Sequence, residues 1–448
     1  MPNRLFQFAG RLRLVVACLG LIIGFPRLAH AGVEGNLGSP PPVQVAVPSN
    51  DRQAGSSPVA VPAPSAKAVS HYRSSLVLLV VEVTWSLALL TGFLFSGASA
   101  RLRSWAESRG RRWYCSFALY CLVLATGYYV ASLPMAWYAG FVHGHAYGLS
   151  NQTFSRWFGN SLKAQAIQIV MILALGWIPF RLVRRSPDRW WLYLSLGAIP
   201  FICCLCLIQP VVIDPLFNQF QPLPDQALES KILALAARAG IQGSRVYRVD
   251  KSVDTSAVNA YVTGFMGTKR IVIWDTAIRA LDEDELLFIM GHEMGHYVLG
   301  HVVRGIAFSS ILVLALLYAV YWLANRAVHR FHARFGFSGL SDVAAAPLGI
   351  LIIQLLVIGG LPLPMAFSRY QEHEADRFGL ELTRNNHAAA MSFVKLQQNN
   401  LSIPRPGLLH RLWLGSHPSL AERIEFCNAY RPWATGEAMR YGGRFWQE

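Results

Sequence analysis

The residues with the clearest chemical potential are His292, Glu293 and His296, in a Gly-His-Glu-Met-Gly-His run that ends at residue 296. Two histidines four positions apart lie on one face of a helix, one turn from each other. That spacing lets both imidazoles bind one zinc ion, and it places Glu293 where its carboxylate can take a proton from an attacking water. The short pattern alone is only moderately specific, because two helical histidines can also pack or cap.

The flanking residues predict that this motif lies on a helix. Asp282 is a suitable N-cap, and Glu285 follows at the third helical position, as in a capping box. Glu283 and Asp284 put negative charge where the helix dipole is positive. An apolar face follows, so the sequence favours the helical geometry that the two histidines need.

A second charged run, residues 368–376, offers a third ligand. Glu372 and Asp376 are again four positions apart. Glu372 can complete a two-His, one-Glu site that keeps a position open for water, and Asp376 can fix the tautomer of a ligand histidine. His373 competes for the ligand role, but it lies about 100° round the helix from Glu372, so both cannot easily face one ion. Without the first motif, this run would be read as an ordinary charged helix.

These two runs, with a Ser-His-Pro-Ser-Leu-Ala-Glu-Arg run ending at residue 423, resemble the integral-membrane CAAX prenyl endopeptidase family, a gluzincin-type family of zinc proteases. Four further segments match family segments in the same order, namely residues 148–154, 214–224, 259–264 and 269–276. The resemblance extends from about residue 114 to residue 423. It implies one zinc ion per chain on His292, His296 and Glu372, with Glu293 as general base and acid.

The resemblance also implies roles for residues that spacing alone would not select. Asp376 and Arg423 would support the metal ligands, and His417 would lie near the scissile carbonyl and stabilise the oxyanion. Residues 259–264 form a short strand-like run that could be the edge of a sheet, beside strands predicted at 246–249 and 271–274. A substrate strand could add to that edge through main-chain hydrogen bonds. The residues proposed to bind substrate there are Asn259, Ala260 and Gly264.

Composition indicates a membrane protein. Hydrophobic residues make up 53% of the 448-residue chain and charged residues only 15%, which is too apolar for an ordinary soluble protein. A formal net charge of +15 could suggest nucleic-acid binding, but the arginines cluster beside apolar stretches, as the positive-inside rule describes. We therefore expect the lipid bilayer as a partner and no nucleic acid. Of seven cysteines, only Cys427 is clearly outside an apolar segment or the leader, so no disulfide framework is expected.

The predicted fold class is mainly α: a polytopic membrane protein with about six transmembrane helices and a gluzincin-like α+β zinc protease domain. Each apolar segment is close to the ~20 residues that a helix needs to cross the hydrocarbon core. The segments are residues 74–95, 114–138, 162–183, 190–213, 306–323 and 347–367. The family resemblance further implies an intramembrane chamber walled by these helices.

The chain divides into consecutive regions. Residues 1–31 have the basic start, apolar core and small-x-small end of a signal peptide, although an uncleaved anchor would look similar. Residues 32–72 are rich in Pro, Gly and Ser and are predicted to be a disordered tether. After them we expect four transmembrane helices at 73–213, the first part of the protease domain at 214–305, a transmembrane hairpin at 306–367, and the second part of the protease domain at 368–448.

Charge predicts the orientation in the membrane. The loops after the first, third and fifth apolar segments are basic, and their arginines are Arg101, Arg103, Arg109, Arg111, Arg112, Arg181, Arg184, Arg185, Arg189, Arg326, Arg330 and Arg334. These loops are expected in the cytoplasm, with both protease parts on the opposite side. That predicts a bacterial inner-membrane protein whose catalytic domain faces the periplasm. Eukaryotic members of the family have a cytosol-facing catalytic domain, so their CAAX substrate does not follow for this chain.

The predicted reaction is hydrolysis of peptide bonds in a peptide or protein substrate. An envelope quality-control protease with the same site is one alternative. Two non-enzymatic alternatives are a sensor or transducer, which would need an appended sensing domain, and a transporter, for which the apolar helices would suffice. The complete set of metal-ligand residues favours the enzyme.

Overall fold

A computed structural model describes residues 57–243, 245–263 and 270–445 of the chain. The predicted signal peptide and the first part of the predicted tether lie outside these residues. The N-terminal helices are α1 (Ala66–Phe95), α2 (Ala98–Arg109), α3 (Trp113–Trp137), α4 (His143–Ala146), α5 (Phe154–Leu175), α6 (Trp177–Arg185) and α7 (Trp190–Ile208). They are followed by α8 (Gln226–Arg238), α9 (Asp275–Ala280), α10 (Glu283–Val298), α11 (His301–Phe335) and α12 (Ala346–Gly360). The last are α13 (Pro362–Thr383), α14 (Asn386–Asn399), α15 (Leu408–Trp413), α16 (Leu420–Ala429) and α17 (Pro432–Thr435).

The six predicted transmembrane helices are confirmed. Within the described residues, six stretches are long and apolar enough to cross a membrane: Ala66–Phe95, Trp113–Ala146, Phe154–Arg185, Trp190–Ile208, His301–Phe335 and Val343–Gly360. Polar side chains in these helices turn inward, since Gln165 and Gln354 are buried. Gln354 donates to Ser86 on α1 at 2.9 Å, which satisfies a polar group that lipid could not.

The first helix begins earlier than predicted, and the segment before it is ordered where the structure describes it. Ser65 caps α1 by accepting a hydrogen bond from the backbone of Ala68. Upstream, Val59 exchanges two backbone hydrogen bonds with the side chain of Asn428, at 3.0 and 2.9 Å. The prediction of a disordered tether reaching residue 72 is therefore wrong for its last part, because distant polar side chains satisfy this backbone.

The protease region contains a small four-stranded β-sheet. Its strands are β1 (Phe220–Pro222), β2 (Arg245–Val249), β3 (Ala260–Thr263) and β4 (Arg270–Trp274), in the order β1-β2-β4-β3. β2 runs parallel to β4, and β3 pairs antiparallel with β4 and forms an edge of the sheet. The predicted strands at 246–249 and 271–274 are confirmed. Helix α10 packs against β3, so the sheet edge lies beside the helix that carries the histidine motif.

Helices α10 and α13 approach each other closely because glycines lie where they cross. A Cβ atom on Gly379 would lie only 2.9 Å from the backbone nitrogen of His292, and one on Gly295 would lie 3.1 Å from Phe378. A side chain at Gly379 would force the α10 backbone to move, and one at Gly295 would press on the ring of Phe378. The capping box predicted for α10 is confirmed, with the Asp282 backbone donating to Glu285 at 2.7 Å.

The membrane helices are anchored to the sheet through buried charges. Asp254, after β2, accepts hydrogen bonds from Arg156 at the start of α5 at 2.6 Å and from Lys251 at 2.9 Å. Burial opposes ionisation of Asp254, but hydrogen bonds from Arg156 and the nearby Lys251 charge hold its pKa well below its usual range. This network fixes the sheet relative to the bundle.

Candidate active site

His292 and His296 on α10 meet Glu372 on α13. The two Nε2 atoms are 3.2 Å apart, and the Glu372 carboxylate oxygens lie 3.4 Å from Nε2 of His292 and 3.5 Å from Nε2 of His296. Within the described part of the chain, these three residues form the only group of at least three His, Cys, Asp or Glu side chains that could hold a metal ion. The spacing of four residues on α10 therefore places both imidazoles beside Glu372.

The geometry of these three side chains fits a tetrahedral metal ion. A zinc ion with ligand bonds of about 2.0–2.1 Å separates neighbouring ligand atoms by about 3.3–3.4 Å, close to all three measured distances. Two imidazoles and one carboxylate are a donor set typical of a catalytic site, because the fourth position stays open. The chemistry of the three side chains and the distances between their ligand atoms thus both fit a zinc ion.

Asp376 and Arg423 support His292 from behind. The Asp376 carboxylate lies 2.8 Å from Nδ1 of His292 and accepts a hydrogen bond from Nε of Arg423, also at 2.8 Å. All three residues are buried. Burial raises the pKa of Asp376, but the Arg423 charge and the His292 hydrogen bond outweigh it and lower that pKa to about 2. The ionised carboxylate can only accept, so Nδ1 of His292 carries the proton and Nε2 is left free to bind a metal.

His417 and Glu293 are both only partly buried. Nε2 of His417 is 3.0 Å from Glu372, and its Nδ1 pairs with Ser416 at 2.7 Å. Its side chain is 14% exposed, and Glu293, next to His292, is half-buried. The structure therefore brings His417, from the C-terminal run, to the carboxylate of Glu372.

His373 does not compete with Glu372. It points away from the site, where its Nε2 accepts a hydrogen bond from Arg377 at 3.0 Å and its ring lies against Phe426. The choice that the sequence left open is thus decided in favour of Glu372 by the direction of the side chain. Because successive residues of a helix are rotated by about 100°, Glu372 faces the histidines of α10 while His373 faces away from them.

Of the predicted substrate-binding residues, Ala260 begins the edge strand β3 and Asn259 is buried just before it. Gly264 lies outside the described residues. Sequence reasoning missed His301, whose Nδ1 is 2.9 Å from Nδ1 of His296. A third histidine five positions after the motif was the available signal, but helical spacing gives no reason for that offset.

This fold and site define an integral-membrane metallopeptidase. Residues 222–431 match the model of peptidase family M48, and residues 63–219 match a model described as CAAX prenyl protease N-terminal, five membrane helices. Four of the candidate spans described above lie within the second match. The chain belongs to peptidase family M48, and it is a metalloendopeptidase that acts on peptide or protein substrates.

Individual relatives are similar over most of their length. The chain is 39% identical to "Uncharacterized metalloprotease YhfN" of Bacillus subtilis over 360 residues, 80% of this chain and 84% of that protein. It is 30% identical to "CAAX prenyl protease 1 homolog" of Dictyostelium discoideum over 300 residues, 66% of this chain and 68% of that one. The crystal structure of S. mikatae Ste24p shares the fold, with a TM-score of 0.71 and 24% identity over 81% of this chain and 88% of that chain.

Proposed function

We propose that this chain is a zinc-dependent endopeptidase of the bacterial inner membrane, with its active site on the periplasmic side. The convergence of His292, His296 and Glu372 at tetrahedral distances carries the proposal. Bound there, one zinc ion per chain supplies Lewis acidity that lowers the pKa of water and polarises a carbonyl.

The remaining side chains supply proton transfer and charge stabilisation. Glu293, half-buried beside the ligands, takes a proton from the attacking water and passes it to the leaving amine. His417, whose Nε2 lies 3.0 Å from Glu372, donates to the oxyanion that develops on the scissile carbonyl. Asp376 and Arg423 hold His292 in the tautomer that binds metal.

The substrate is proposed to bind as an extended strand along β3. That strand is at the edge of the sheet and next to α10, so a peptide added to it would pass the metal ligands. Main-chain hydrogen bonds are indifferent to side-chain identity, which suits an endopeptidase acting on varied sequences. Asn259 and Ala260 lie where β3 begins.

The contacts between the basic loops support the proposed orientation. Arg103 on α2 reaches the carbonyl of Gly336 after α11 at 3.5 Å, and Arg184 on α6 lies 5.3 Å from the ring of Trp113. Three arginine-rich segments therefore meet at one end of the bundle, as a cytoplasmic face requires. The residues before α1 contact the protease region instead, through Val59 and Asn428.

Peptide cleavage by the purified chain tests this function. The wild type loaded with zinc should cleave a quenched fluorescent peptide library, and Glu293→Gln should hold zinc yet lose turnover because an amide cannot accept the proton. His373→Ala is the matched control, since that histidine faces away from the site, and it should keep activity. Undiminished turnover by the Glu293 variant, with contaminating proteases excluded, would refute the general-base role.

A further inference from the structure

His301 is held tightly against the second ligand histidine. It is the first residue of α11 and follows Gly300, whose φ of 66° lies in the left-handed region that favours glycine. The sharp turn after α10 brings the His301 ring to 5.0 Å from that of His296, edge to face. Its side chain is 3% exposed, and Gln371 on α13 donates to its carbonyl at 3.2 Å.

The nitrogen that each ring presents fixes the direction of the hydrogen bond. Nε2 of His296 faces His292 and Glu372, so it is the metal-binding atom and the neutral ring carries its proton on Nδ1. That Nδ1 is 2.9 Å from Nδ1 of His301, which must therefore accept. His301 in turn carries its proton on Nε2.

Glu374 lies on the other side of His301. Its carboxylate is 3.6 Å from Nε2 of His301, too far for a hydrogen bond but close enough for electrostatic attraction to the N–H. Glu374 is itself buried and accepts hydrogen bonds from Arg304 at 2.9 Å and from the hydroxyl of Tyr441 at 3.0 Å. A carboxylate fixed in this way stabilises the tautomer of His301 that can accept from His296.

We propose that His301 is a positioning residue for the metal site, which holds His296 through an imidazole–imidazole hydrogen bond backed by Glu374. The inference rests on the proposed zinc function and deepens it. Each of the two ligand histidines is then positioned by a carboxylate of α13. Asp376 contacts His292 directly, whereas Glu374 acts on His296 through His301. Because His301 also starts a membrane-spanning helix, the metal site is tied directly to α11.

Zinc affinity of the full-length protein in detergent tests the proposal. Each variant is equilibrated with zinc and a chelator of known affinity, and bound metal is measured after removal of free metal. His301→Phe keeps the volume but cannot accept a hydrogen bond, and it should weaken zinc binding about 10–100-fold. His301→Asn places Oδ1 where Nδ1 stood and should bind zinc close to the wild-type level. His373→Phe on α13 is the matched control and should have no effect.

The rescue by asparagine separates positioning from packing. If His301→Phe binds zinc as tightly as the wild type, or if His301→Asn is weakened as much as His301→Phe, the proposal is wrong. Should His301→Phe fail to fold, judged by gel filtration of the metal-free protein, His301→Ala replaces it with the same expectation. A wild type that binds no zinc, or a His296→Ala variant that binds it normally, would instead overturn the proposed zinc function.

Discussion

Substitutions in the buried ion pair between Arg423 and Asp376, which lies next to His292, should affect protein stability and zinc binding to different extents. Arg423 and Asp376 have side chains that are 3% and 1% exposed, and Nε of Arg423 donates to the carboxylate at 2.8 Å. Arg423→Met keeps most of the side-chain length but leaves a buried carboxylate without its cation. Removing one partner of such a pair costs about 3–5 kcal/mol of stability.

That cost is large enough to measure. With about 2–4 °C of melting temperature per kcal/mol, the range for a folding unit of about 150–250 residues, the metal-free Arg423→Met protein should melt about 6–20 °C below the wild type. The readout is an apparent melting temperature at one fixed scan rate, since large membrane proteins often unfold irreversibly. Arg405→Met is the matched control, because its ion pair with Glu425 is exposed and exposed pairs contribute only about 0–1 kcal/mol.

A double variant distinguishes the contribution of the ion pair to stability from the contribution of Asp376 to zinc binding. Arg423→Met combined with Asp376→Leu replaces the ion pair by apolar groups, which is often neutral for stability. Part of the lost melting temperature should therefore return, while the buried Nδ1–H of His292, left without its acceptor, keeps the double variant below the wild type. The double variant should bind zinc about 10–100-fold more weakly than the wild type, because His292 has lost the acceptor that fixes its tautomer. A single variant as stable as the wild type, or a double variant that binds zinc normally, would refute this reasoning.

Three further outcomes are expected. His296→Ala should remove most bound zinc while His373→Ala keeps it, and the reverse result in a metal assay would exclude the ligand set. Gly379→Ala should lower the melting temperature and the zinc content together, since its Cβ would lie 2.9 Å from the α10 backbone and overpacking costs about 1–3 kcal/mol; unchanged values would contradict the close packing. A reporter active only after export should be active when fused after Asp275 and inactive near Gly110, and the opposite pattern would reverse the proposed orientation.

Local sequence patterns predicted the parts of this protein that depend on short-range physics. The spacing of His292 and His296 and the capping box at Asp282 are properties of a single helix, and both appear as expected. The six membrane spans follow from apolar length alone. The rotation per helical residue also predicted that Glu372 and His373 would not both face one ion, although it did not say which of the two would.

The parts that could not be predicted depend on tertiary contacts. The Pro- and Ser-rich residues before α1 have the composition of a tether, yet the backbone of Val59 is satisfied by Asn428, 369 positions away. His301 stands five positions after His296, which continuous helical geometry would turn away from the site. Only the break at Gly300, with its left-handed backbone, returns the ring to His296.

The close crossing of α10 and α13 explains why a catalytic unit can be interrupted by a membrane hairpin. Both helices are needed for one metal site, yet α11 and α12 separate them in the sequence. The glycines at the crossing let the two backbones approach until Glu372 reaches both histidines. His301 then joins the first turn of α11 to the same site. The metal site is therefore complete only when the membrane hairpin holds α10 and α13 against each other.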